Sequence, residues 1–195
     1  MKKTRVIVVT DGDDVARQTV EEVARRFGLR CISASAGNPT PLTGDEIAAL
    51  ACRADHDPVL VMVDDRGRSA KGPGESALEG LLTNPGVEVL GVVAVASHTS
   101  RARGVRVDES VTAAGEVTSD AVDKEGRPRD GDAVLIGDTV DVLNQFAAPF
   151  IVGVGDPGKM RGQDDAARHC PVTARAVEEI LKRAGVAPRR ETGVT

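Results

Sequence analysis

Val6-Ile7-Val8-Val9 is an unbroken β-branched run, and beyond Asp13-Asp14 the apolar residues change period to Ala16, Val20, Val23, Ala24 and Phe27. The first pattern predicts a strand and the second an amphipathic helix. Asp13 or Asp14 is placed to cap the helix start, and Gly28 to end it. The unit repeats in kind. Cys31-Ile32-Ser33 predicts a second strand, the loop Ser35 to Leu42 follows, and Thr43-Gly44-Asp45-Glu46 has the capping-box spacing that opens a helix through Arg53. Val59 to Val63 predicts a third strand, Gly67 to Gly74 a glycine-rich linker, and Glu75 to Leu82 a helix. Val89 to Ala96 is apolar almost throughout, as expected of a strand covered on both faces.

The alternation then breaks. Val105-Arg106-Val107 and Glu116-Val117-Thr118 flank the small-residue turn Ala113-Ala114-Gly115 and predict a β-hairpin inserted or appended beside the main sheet. Gly126 to Asp132 reads as a polar loop, Ala133 to Ile136 and Phe150 to Val154 as strands, and Thr139 to Phe146 as a short helix. The stripe Val177, Ile180, Leu181 and Ala184 marks a closing helix. Strands that alternate with helices imply an α/β fold, a three-layer, doubly wound and mainly parallel sheet of Rossmann-like or Toprim-like build. One domain over 1–186 and a disordered tail over 187–195 are expected.

In such a sheet the strands' carboxyl ends share one edge, where ligands bind. The sequence loads that edge with polar groups: Thr10-Asp11-Gly12-Asp13, the Ser35 to Thr43 loop, Asp64-Asp65-Arg66-Gly67, Ser97-His98-Thr99 and Gly155-Asp156-Pro157-Gly158-Lys159. The candidate ligand-binding residues are Asp11, Asp13, Asn38, Thr40, Asp64, Asp65, Asp156 and Lys159. The ligand expected there is a small anion or a divalent ion. No residue is assigned a catalytic or metal-ligating role, and no cofactor is called for.

The bland alternative is that Asp13, Thr43 and Thr173 cap helices while Asp11, Asp64 and Asp156 accept amide protons in tight turns, and it is the favoured reading of these residues as a class. The sharper one is a magnesium-dependent phosphoryl-transfer centre, with clustered carboxylates holding the ion and Lys159 or Arg66 balancing phosphate. Asp11-Gly12-Asp13 is similar to the opening motif of haloacid-dehalogenase-type phosphatases, and Gly155-Asp156 with Asp164-Asp165 to their closing one, yet no ordered lysine or Ser/Thr motif lies between. A Toprim site needs a first-strand glutamate, where this chain has Asp11, and a later D-x-D pair. Asp64-Asp65 is instead adjacent, and neighbours in extended backbone point to opposite sides.

Composition narrows the partners. Among 195 residues the formal charge is −5, which argues against a general nucleic-acid binder. Aromatic residues make up 2 % of the chain, with no Trp or Tyr, leaving little for base stacking. Cys31, Cys52 and Cys170 form neither a disulfide framework nor a zinc motif. The segment Met1 to Arg5 runs directly into a strand, so no export signal is expected. The longest apolar stretch, Val87 to Ala96, carries Glu88 and is far shorter than the roughly 20 residues of a spanning helix, so no transmembrane segment is expected. Lys71-Gly72-Pro73-Gly74-Glu75-Ser76 could offer amides to an anion but lacks P-loop spacing, and a flexible turn is the preferred reading. His56, His98 and His169 belong to no nucleophile motif.

Longer blocks carry more information than any of these short motifs. Arg5 to Asp13, Cys31-Ile32-Ser33, Ser35 to Gly44, Asp57-Pro58-Val59 with Asp64-Asp65, Gly72 to Glu75, Glu88 to Val92 through Ala96-Ser97, Val122-Asp123-Lys124, Gly137 to Val140 and Gly153 to Met160 follow one another in a fixed order. Together they resemble the soluble stage V sporulation protein AE family over residues 5 to 184. His98, where an asparagine-like residue is expected, and the tail from Ala187 with Arg189-Arg190 depart from that pattern. The resemblance implies a non-enzymatic accessory protein of the spore calcium dipicolinate uptake and germination machinery. It implies other stage V sporulation proteins of the dipicolinate channel set as partners. It also implies a forespore or spore location, soluble or peripheral at the inner spore membrane.

Overall fold

The computed structural model describes residues 2–67, 71–98, 102–146 and 149–187. The expected tail falls outside them from residue 188 onward, as do Thr99 and part of the glycine-rich linker. The order is β1 Thr4–Val9, α1 Asp14–Arg26, β2 Arg30–Cys31, α2 Gly44–Cys52, β3 Val59–Met62, α3 Pro73–Thr83 and β4 Val87–Val95. Then come β5 Val105–Arg106, β6 Glu109–Val111, β7 Val117–Thr118, β8 Val134–Leu135, β9 Phe150–Val154 and α4 Pro171–Arg183. The main sheet runs β2-β3-β1-β4-β9-β6-β7, parallel except for the β6–β7 pair. This is the expected three-layer α/β build of Rossmann-like type.

Strand pleating assigns alternate residues to opposite cores. Val6 and Val8 of β1 join Val59 and Val61 of β3 under α2 and α3, with Ile47, Ala51, Leu78 and Leu81. Ile7 and Val9 join Leu60 and Met62 on the other face under α1 and α4, with Val20, Val23, Val177 and Ile180. A fully apolar strand is what a sheet covered on both sides requires. Each such side chain, withdrawn from water, contributes about 1.5–3 kcal/mol.

Helix starts follow the caps foreseen, with one exception. Asp13 Oδ1 accepts from Val15 N and Ala16 N, and Thr43 and Glu46 form the capping box. At α4, Thr173 does not cap. The remote, fully buried Asp164 does so, accepting from Val172 N, Thr173 N and Thr173 Oγ1. Strand two ends earlier than expected, because Ser33–Ser35 turns into a single 3-10 turn. The hairpin about Ala113-Ala114-Gly115 is present, but its first arm is Glu109–Val111, which also extends the main sheet beside β9. Val105-Arg106 pairs with Val134-Leu135 in a separate two-stranded sheet. The short helix expected over Thr139 to Phe146 is a 3-10 helix over Asp141–Gln145.

Candidate functional site

The chain leaves β1 and β3 toward opposite faces, to α1 and α3, so their carboxyl-end loops splay apart at a switch in strand order. A cavity of about 140 Å³ sits at this edge, lined among others by Asp11, Asp13, Asn38, Asp64, Asp156 and Lys159. Gly12 lets the loops meet. A methyl at Gly12 would lie 2.6 Å from Gly37 O, so the β1 loop and the Ser35 to Thr43 loop touch backbone to backbone.

One carboxylate oxygen from each of Asp11, Asp13 and Asp156 lies within 4.8 Å of the others. Lys159 is set against two of these acids, its Nζ donating to Asp13 Oδ2 at 2.6 Å and to Asp156 Oδ1 at 3.0 Å. Lys124 Nζ approaches the other oxygen of Asp156 at 3.3 Å. Asp156 is therefore held by lysines and not, as expected, by a turn amide. Asp11 and Asp64 do shape turns: Asp11 Oδ1 accepts from Asp13 N, and Asp64 accepts from Arg66 N and Gly12 N.

Charge is distributed unevenly. Burial, reinforced by the neighbouring Asp13 charge, pushes Asp11 up to about 7. Burial likewise pushes Asp64 up to about 6, against the pull of its two amide donors. At Asp13 burial acts in the same sense, but Lys159 and the α1 amides outweigh it and hold the carboxyl below its usual range. Burial also works against the Lys159 charge, and the hydrogen bonds to Asp13 and Asp156 overcome it and raise its pKa. Near neutral pH the cavity thus holds one internally matched acid, Asp13, beside a second, Asp11, that shares its proton with solvent.

Six of the eight expected residues line the cavity, and two do not. Thr40 lies behind it, accepting from Asp64 N at 2.6 Å and fixing the end of β3. Asp65 points the opposite way from Asp64, as adjacent extended residues must, and accepts from Gly74 N at 2.7 Å and Glu75 N at 2.8 Å. The amides at the start of α3, a possible anion seat, are thus occupied by the protein's own carboxylate.

A family model, stage V sporulation protein AE1, matches residues 5–184. The chain belongs to this family. It is a sporulation-related protein. No curated protein and no solved structure matches it. Among the described residues, no helix of this stage V sporulation protein AE1 family member is long and apolar enough to cross a membrane.

Lys124 and Asp138 also line the cavity and are not in the expected set. Both arrive on the long segment between β7 and β9, outside the regular strand–helix alternation. Lys124 stands in a block that carries the family resemblance, which is the one signal that could have singled it out. A second cavity, of about 580 Å³, shares Ala96, Ser97 and Lys124 with the first and adds His98, Val122, Asp123, Arg129 and Ile136. An acidic compartment and a mixed one, in which Arg129 is paired with Asp132 and Asp123 with Arg127, therefore open side by side, with Lys124 on their common wall.

Proposed function

We propose that this protein is a non-enzymatic accessory component of the spore dipicolinate uptake and germination machinery, acting at the inner spore membrane beside other stage V sporulation proteins. Family membership gives sporulation, and the dipicolinate role is the reading built on it. The observation that carries a ligand role is the paired compartment at the sheet edge. Three carboxylates within reach of one another suit a divalent cation, and a contiguous cavity with Lys124, Arg129 and an apolar floor suits an organic anion. A calcium ion with its dipicolinate would match both. Asp11, Asp13 and Asp156 would hold the ion, competing with Lys159, while Lys124 and Arg129 would face the anion.

The test is a thermal melt of the full chain with calcium alone, dipicolinate alone and both together. A ligand that prefers the native state raises Tm. The largest rise is expected with both, and loss of that rise in Lys124→Ala. No shift under any condition removes ligand binding from the proposal. Docking is tested separately, by co-purification from spore membranes, and failure to recover any stage V partner would remove that part.

The acidic triad alone favours a second reading, a divalent-metal-dependent phosphoryl-transfer or hydrolase enzyme of Toprim-like or phosphatase-like type. That reading requires magnesium-dependent hydrolysis of p-nitrophenyl phosphate that vanishes in Asp11→Asn. An unchanged rate in that variant would end it.

A further inference from the structure

A third cavity, of about 760 Å³, opens between the start of α3, the β5–β8 pair and the 3-10 helix Asp141–Gln145. It is separate from the sheet-edge compartments. Lys71, Arg103 and Arg106 supply its cations, and Glu75 and Asp141 its acids. Both acids are turned to main chain: Glu75 Oε1 accepts from Val142 N at 2.9 Å, and Asp141 accepts from Arg103 N at 3.0 Å and Gly104 N at 2.8 Å. Asn144 Nδ2 donates to Gly104 O at 2.8 Å, so the segment carrying the arginines is fastened to the 3-10 helix through both the amide and the carbonyl of Gly104. Such fastening removes part of the ordering cost of binding.

Lys71 is shared with Glu79. The guanidinium groups of Arg103 and Arg106 are exposed and have no ion pair or hydrogen bond to the described residues. Elsewhere in this acidic chain Arg5, Arg17, Arg25, Arg127, Arg129, Arg161 and Arg175 pair with carboxylates, whereas Arg30, Arg53 and Arg66 pair with none among the described residues. Arg103 and Arg106 differ from those three in lining one cleft together. We infer that this cleft binds a phosphate group, with Arg103 and Arg106 as the paired forks that receive it. Guanidinium geometry matches the oxygens of a phosphate two at a time. A lone carboxylate would leave one arginine unmatched, whereas a phosphomonoester carries about −1.5 to −2 charges over three oxygens. The volume falls within the usual range of roughly 300–1,000 Å³ for small-ligand sites.

The phosphate could belong to a soluble metabolite or to a lipid headgroup, and two probes separate them. Pyrophosphate is titrated into the full chain by calorimetry, and the chain is co-sedimented with phosphatidylglycerol vesicles against phosphatidylcholine vesicles. Arg103→Ala with Arg106→Ala should weaken whichever probe binds by at least about tenfold, the loss of charge-assisted hydrogen bonds. Arg30→Ala with Arg53→Ala removes the same charge elsewhere and should leave that affinity within about twofold. Pyrophosphate binding identifies a soluble ligand, and vesicle binding alone identifies a headgroup. The inference is overturned if neither probe binds, or if the two double variants behave alike.

Discussion

Lys159 Nζ donates to Asp13 Oδ2 across 146 residues of sequence, tying the last loop of the sheet to the first. The same ammonium reaches Asp156, so one cation neutralises much of an acidic pocket from within. Removing it leaves Asp13 without an ammonium partner and Asp156 with only Lys124. Lys159→Met should lower stability by about 1–2 kcal/mol, a value discounted because the lysine is partly exposed. It should also enlarge the stabilisation by calcium relative to the wild type, since the ammonium that bridges Asp13 and Asp156 then no longer competes. Equal calcium responses in the two proteins would show that the ion does not use this triad.

The raised carboxyl of Asp11 predicts a pH dependence. Its pKa moves from 3.8 to about 7 on folding, so between these values the native state binds the extra proton. Stability from this group is complete below pH ~4, declines as pH rises, and is gone above pH ~7. Asp64 adds a decline of the same sign over a narrower window, ending near its own value of about 6. Asp11→Asn keeps an oxygen for the Asp13 amide and should flatten the slope of stability between about pH 4 and pH 7. Denaturant melts at a series of pH values check this, and a wild-type slope unchanged in the variant would refute it.

Asp64 and Asp65 should respond differently to substitution. Asp65→Ala strips two buried amides of α3 of their acceptor, a loss of about 2–4 kcal/mol in urea unfolding. Asp64→Asn keeps one of its two amide acceptors, at Arg66 N or at Gly12 N, and should lower stability by about 1–2 kcal/mol while altering ligand-induced shifts in Tm. Reversed outcomes would mean the two side chains had been assigned to the wrong sides of β3.

The α2–α3 contact is set by two glycines. A methyl on Gly44 would lie 2.5 Å from Ala77 O and 2.7 Å from Gly80 Cα, both backbone atoms that cannot rotate away. Gly44→Ala should therefore cost about 1–3 kcal/mol despite alanine's better helix propensity, read as a lowered midpoint at unchanged m-value. A neutral result would show that the helices separate freely.

Much of this was legible in the sequence because period and capping chemistry are local. Val6 to Val9, the Thr43 box and the carboxyl-edge acids follow from spacing alone. What was not legible depends on distant pairing. Val105-Arg106 looks like a hairpin arm, but its partner is Val134-Leu135 and nothing in its own residues says so. Thr173 has the composition of a cap, yet Asp164, outside the helix, does the work through a loop whose path spacing cannot reveal. The same holds for Lys124, brought to the site by a segment that belongs to no strand–helix repeat.

The opposed carboxylates at the end of β3 have a mechanical consequence. Asp64 holds Gly12 at the sheet-edge pocket, while Asp65, one peptide bond away, grips the first turn of α3. Glu75 in that turn takes hold of Val142, whose neighbour Asp141 anchors the segment bearing Arg103, just ahead of β5. The acidic pocket and the arginine cleft are thus the two ends of one run of main chain and carboxylate hydrogen bonds, buried as far as Val142 and open to solvent at Arg103. The two sites share a single frame.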